Sequence, residues 1–148
     1  MAEDGRTPIV ADLPTLAQSG TGQGTRGAIW ARETEDLDVN VVTFPTGAGV
    51  GAHINDQVDV LVVVVAGAGV AEVDGRSYRL APGTMLLIPR GTRRAIHSTT
   101  EALVYVSCHR RRPRLQPRRG PRGGGDAASP DVHARGLGDR TMVSEARR

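Results

Sequence analysis

Gly47-Ala-Gly-Val-Gly-Ala-His53-Ile-Asn55-Asp-Gln-Val-Asp59, running on through Val60-Leu-Val-Val-Val-Val-Ala-Gly67, is the stretch whose reading decides the fold. It has the shape of turn, strand, turn, strand, and it ends on a glycine. Val60 to Val65 shows no polar alternation, so both faces of that strand are expected to be buried. After fifteen intervening residues the shape returns as Gly83-Thr-Met-Leu-Leu-Ile-Pro89-Arg-Gly91-Thr-Arg-Arg94, continuing to Ser98.

The flanking sequence extends the same texture. Leu37 to Phe44 alternates apolar and polar residues with period two, and Ala28 to Arg32 reads as a short strand before it. Val70 to Val73 and Ser77 to Leu80 flank Asp74-Gly75, the strongest short hairpin signal in the chain. Ala102 to Cys108 closes the series. About nine short strands with turn signals between them, and no convincing amphipathic helix, predict an all-β sandwich or barrel. Residues 1–27 are expected to be a flexible arm whose apolar patch, Pro8 to Pro14, adds an edge strand at most. Residues 28–110 are expected to form the barrel. Residues 111–148, dense in Arg, Pro and Gly, are expected to be disordered because they cannot bury enough surface to offset chain entropy.

Composition narrows the function. Only 3% of the 148 residues are aromatic, so the core rests on Val, Leu, Ile and Ala. The single cysteine, Cys108, excludes an internal disulfide and suits a reducing compartment. No apolar run approaches the roughly 20 residues that span a bilayer, and the N-terminus lacks a signal-peptide pattern, so a cytoplasmic location without membrane contact is expected. The net charge of +3 conceals an asymmetry, because residues 1–108 carry −4 and residues 109–148 carry +7. The basic character belongs to the tail, which offers phosphate neutralisation but no interleaved aromatics to stack on bases. A nucleic-acid role is therefore not the expectation. Cys108 reads as a packing residue at the end of a strand.

The two stretches together resemble the paired motifs of the cupin superfamily. The family's first motif is Gly, five residues, His-x-His, three or four residues, Glu, and a later Gly. Its second is Gly, five residues, Pro-x-Gly, two residues, His, three residues, Asn. The resemblance implies a double-stranded β-helix, or jelly-roll barrel, with disordered termini, and commonly a metal held by three imidazoles and a carboxylate. Here Gly47, Gly67, Gly83, Pro89 and Gly91 match the scaffold. The ligand positions do not. His53 fills the first, Asn55 the second, Asp59 or Val60 the carboxylate position, and Arg94 the last.

Arg94 decides that set. A guanidinium only donates hydrogen bonds and keeps its proton, so it cannot ligate a metal. At about 4 Å it would also repel a divalent ion by roughly 8 kcal/mol at an effective dielectric of 20. No metal, cofactor or catalytic residue is assigned. Two readings of His53, Asn55, Asp59 and Arg94 stand side by side. In one they line a pocket for a small, anionic molecule; in the other Asp59 pairs with Arg94 and the site is vestigial. The expected function is small-molecule binding or an accessory role in a homodimer whose interface covers the Val60–Val65 strand, with the N-terminal arm as the alternative cover. The alternatives are a metal-dependent dioxygenase, isomerase or cyclase with an irregular ligand set, and weak binding of nucleic acid or a partner through the arginine tail.

Overall fold

The computed structural model describes residues 7–22 and 24–112. One short helix, α1 (Leu13–Ser19), precedes nine strands. These are β1 (Gly27–Glu33), β2 (Leu37–Phe44), β3 (Gly49–Ile54), β4 (Val60–Ala66), β5 (Gly69–Val73), β6 (Arg76–Leu80), β7 (Met85–Ile88), β8 (Arg93–Ser98) and β9 (Leu103–Arg110). They form a five-stranded sheet in the order β1-β2-β9-β4-β7 and a four-stranded sheet in the order β3-β8-β5-β6. The strand pairings among the described residues are antiparallel. This is the expected jelly roll.

Local chemistry sets the corners. Asp74 and Gly75 both adopt positive φ, 47° and 78°, as a two-residue hairpin with the right twist requires. Asp74 N–H donates to the Arg93 carbonyl and Asp74 Oδ1 accepts from Arg93 N–H, each at 2.8 Å, so the hairpin is pinned to the start of β8. Gly67, at φ 72°, turns the chain between β4 and β5, and a Cβ there would run into the Ala102 carbonyl.

Between the sheets, Phe44, Val62, Val64, Leu80, Ile88, Ile96, Leu103 and Tyr105 pack as one core. The rings of Phe44 and Tyr105 lie 6.2 Å apart, tilted by 31°. Period two divides β4 up to a register shift between Val64 and Ala66: Val62 and Val64 are buried inward, whereas Leu61, Val63 and Val65 on the outer face are half-buried.

The arm departs from expectation, because part of it is helical. Asp12 caps α1 by accepting from Thr15 N–H at 3.0 Å, with proline in the first turn. Leu13, Leu16 and Ala17 then share one face, which packs on the outside of the five-stranded sheet against Val41, Val104, Val65 and Ala66. A helix this short is marginal alone and owes its stability to docking. Two turns carry too few apolar positions to show a helical period in sequence. The Thr43 hydroxyl donates to the Gly20 carbonyl at 3.1 Å and anchors the helix exit. The described part of the arm adds no strand.

At the other end the chain stays on the barrel through Arg112. Arg111 N–H donates to the Asp36 carbonyl at 2.8 Å, and Arg111 Nη1 donates to the Thr34 carbonyl at 3.3 Å. The disorder expected for the tail concerns residues beyond 112, which lie outside those described. Among the described residues no helix is long and apolar enough to cross a membrane.

The helix leaves part of the outer face open. Leu61 pairs across to Leu87 and Val63 to Met85, and Leu87 and Met85 are 65% and 70% exposed. We propose that a second copy of the chain covers this band, since a self-complementary apolar patch suits a two-fold interface. Sedimentation at micromolar concentration is expected to give about 31 kDa, twice the 15.6 kDa chain; a single 15.6 kDa species would rule the dimer out. For the corner, Gly67→Ala is expected to cost on the order of 3 kcal/mol in denaturant unfolding through positive φ and the carbonyl clash. Gly51→Ala, where a Cβ meets open space, should stay within about 1 kcal/mol of the parent.

Candidate functional site

A cavity of about 180 Å³ opens between the sheets. Buried Val62, Ile88, Ile96 and Tyr105 form its floor, and exposed His53 and Arg112 stand at its mouth. Asn55, Arg94, Ser107 and His109 contribute polar groups to the wall. Three of the four sequence-derived site residues therefore meet here, and Asp59 does not.

The strands explain the placement. His53 on β3 lies directly opposite Arg94 on β8 in the antiparallel register, with an irregularity between Val50 and His53. On β8, Arg94, Ile96 and Ser98 point inward, while His97 falls on the alternate side. Asp59 sits in the exposed turn before β4, where its Oδ1 accepts from Arg90 N–H at 2.8 Å. It holds the Pro89–Gly91 corner rather than neutralising Arg94. The pairing of Asp59 with Arg94 is thus absent from the structure, because the carboxylate is spent on the neighbouring turn.

Asn55 is largely buried, and its side-chain oxygen accepts from the N–H groups of Gln57 (3.0 Å) and Val58 (3.3 Å). This is the self-bonding turn that asparagine favours. Its carbonyl also accepts from Gly91 N–H at 2.6 Å, tying the two motif turns together. Only the amide NH₂ of Asn55 remains to meet a ligand. His53 Nδ1 donates to the Gly51 carbonyl at 2.8 Å, so in the neutral ring Nε2 is the acceptor.

Arg94 is the unusual group. It is 6% exposed, and its Nη1 is buried without a hydrogen-bond partner. Desolvation holds its pKa below the ordinary arginine value, and the Arg112 guanidinium lowers it further. Burial pushes the Tyr105 phenol the other way, up to about 12, so it stays neutral at physiological pH. No Asp or Glu is among the described residues lining the cavity. Its fixed charge is positive.

The sequence reading missed the β9 contribution. Tyr105, Ser107 and His109 follow one another at every second position, so the period that predicts the strand also puts them on one face. In the sequence His109 stands out only as the neighbour of Cys108, which lies on the opposite face, across from Leu61 and Val39. Arg112 belongs by composition to the tail. His109 Nδ1 donates to the Arg110 carbonyl at 2.8 Å, and its Nε2 lies 3.7 Å from Asp38 Oδ2, an ion pair when the ring is protonated.

These residues do not fit the divalent ion that the fold family commonly holds. The Asn55 oxygen is engaged twice by backbone, Asp59 is turned to Arg90, and a cation stands at the last ligand position. No group of three or more His, Cys, Asp or Glu side chains is placed to hold a metal among the described residues.

Comparisons with known proteins agree with the architecture. A protein from Bacillus halodurans, BH2720, has a solved structure that superposes with a TM-score of 0.60 at 21% identity, over 76% of this chain and 86% of that one. TT1209 from Thermus thermophilus gives 0.59 at 18% identity, covering 70% and 98%. KdgF from Halomonas sp. gives 0.53 at 26% identity, covering 56% and 76%. No curated protein matches the chain. The family model described as a cupin domain matches residues 40–108, which contain both glycine-anchored motifs and run through β9 almost to its end, and with this fold it identifies that stretch as a cupin domain.

Proposed function

We propose that this cupin binds a small organic anion in its barrel, with Arg94 as the anchoring cation. The observation that carries the reading is the buried Arg94 Nη1 without a partner. A buried donor left unsatisfied costs about 1–3 kcal/mol, and more when it is charged. That cost is offset when a carboxylate or phosphate oxygen occupies the cavity, since charge-assisted bonds to arginine are strong and directional. A cavity lined by Arg94, Arg112 and two histidines, with no carboxylate among the described lining residues, supports the same charge selection.

The binding role is preferred to a metal-dependent reaction because the ligand positions fail chemically, as His53 alone offers a free donor atom among them. Purified protein is expected to carry substoichiometric transition metal by elemental analysis and to melt at the same temperature with and without chelator. One tightly held ion per chain, released by His53→Ala, would put the enzyme reading first.

The anchoring role makes a prediction of opposite sign to a structural one. Arg94→Met removes the unsatisfied cation at similar length, so the unliganded protein should become more stable by about 1–3 kcal/mol while losing anion binding. Thermal melts and isothermal titration calorimetry read the two effects separately. Loss of stability in that variant would mean that Arg94 holds the barrel together, and the binding role would fall.

A further inference from the structure

Charge at the mouth and apolar surface on the floor divide this cavity lengthwise. Arg112 is exposed and Arg94 is buried in the wall, and both guanidinium-bearing side chains line this one cavity. Below them Val60, Val62, Ile88 and Ile96 line the wall and floor. The polar groups beside them are the Asn55 amide, whose side-chain oxygen is engaged by the turn, the Tyr105 and Ser107 hydroxyls, and the His53 and His109 rings.

Resting on the anion-binding reading, we infer that the cavity takes an amphiphilic monocarboxylate: a compact apolar body seated on the Val62–Ile88–Ile96 floor, with one carboxylate gripped between Arg94 and Arg112. A carboxylate has two oxygens in one plane. Arg94 reaches it from the wall and Arg112 closes over it from the mouth, so one anionic group satisfies both cations. Volume limits the body. An apolar cavity of about 150 Å³ is enough for benzene, so about 180 Å³ accommodates one six-membered ring or a short branched chain. A polyhydroxylated acid fits poorly, because its hydroxyls would be desolvated against valine and isoleucine. A bare inorganic anion would meet the guanidiniums but leave the floor unfilled.

Calorimetric titration of the full-length protein tests this with benzoate, benzamide, acetate, gluconate, 1-naphthoate and inorganic phosphate. Benzoate is expected to bind about fiftyfold more tightly than acetate, from ring burial. Its advantage over neutral benzamide is expected to be about tenfold, from the charge-assisted contact. Gluconate, phosphate and the bulkier naphthoate should each trail benzoate by about tenfold or more. Arg94→Gln should erase the benzoate–benzamide difference, and Arg112→Gln should reduce it. The ligand series on the unaltered protein stands even if a variant folds poorly. Gluconate, acetate or phosphate binding as tightly as benzoate would overturn the amphiphilic ligand while leaving anion binding in place. Benzoate binding no better than benzamide, with no phosphate, acetate or gluconate bound, would overturn both.

Discussion

Strand β9 is hydrogen-bonded along both edges, to β2 on one side and β4 on the other, and that double pairing fixes the rest of the molecule. With its register set, successive side chains must alternate between the two faces of the sheet. Leu103, Tyr105, Ser107 and His109 turn inward, the first two into the core and the last three along the cavity wall. Val104, Val106 and Cys108 turn outward, where α1 docks on Val104 and Val106. One strand thereby supplies core, cavity and helix platform. A slip of one residue would exchange all three.

Around β9, the glycine-anchored motifs act as corner fittings. Asn55 bonds its own turn and receives Gly91 N–H, while Asp59 receives Arg90 N–H, so the turn after β3 and the turn before β8 are stitched together twice. Two side chains at positions where the family commonly has metal ligands have become structural here. The stitching places His53 and Arg94 opposite each other and leaves Arg94 buried without a hydrogen-bond partner at Nη1. A protein selected for stability alone gains nothing from such a group. Its presence in a cavity with an apolar floor is the observation that supports the proposed anion-binding role.

The apolar exterior follows a similar logic. An all-apolar strand such as β4 has no polar face to offer solvent, so cover over its outer side is favourable. Helix α1 covers part of that side from within the chain, over Val65 and Ala66, and the band of Leu61, Val63, Met85 and Leu87 is the part that the proposed second copy would cover.

By itself the sequence determined the strand count, the hairpin at Asp74-Gly75, the two motif corners and the inward aim of Arg94. All of these depend on local turn chemistry or on the period-two alternation of side chains, which is written in adjacent residues. The same alternation discloses Tyr105, Ser107 and His109 as one face once β9 is read for its inner side as well as for its existence. Only the tertiary structure decided which polar groups meet across the barrel. Asp59 and Arg94 lie near each other in the motif pattern, yet a backbone N–H from the Pro89–Gly91 turn claims the carboxylate first. Arg112, part of the tail by composition, is brought to the cavity mouth by the pairing of Arg111 with Asp36. The helix Leu13–Ser19 likewise depends on a docking surface assembled from β2, β4 and β9. Such contacts join residues far apart in the chain, and no local period records them.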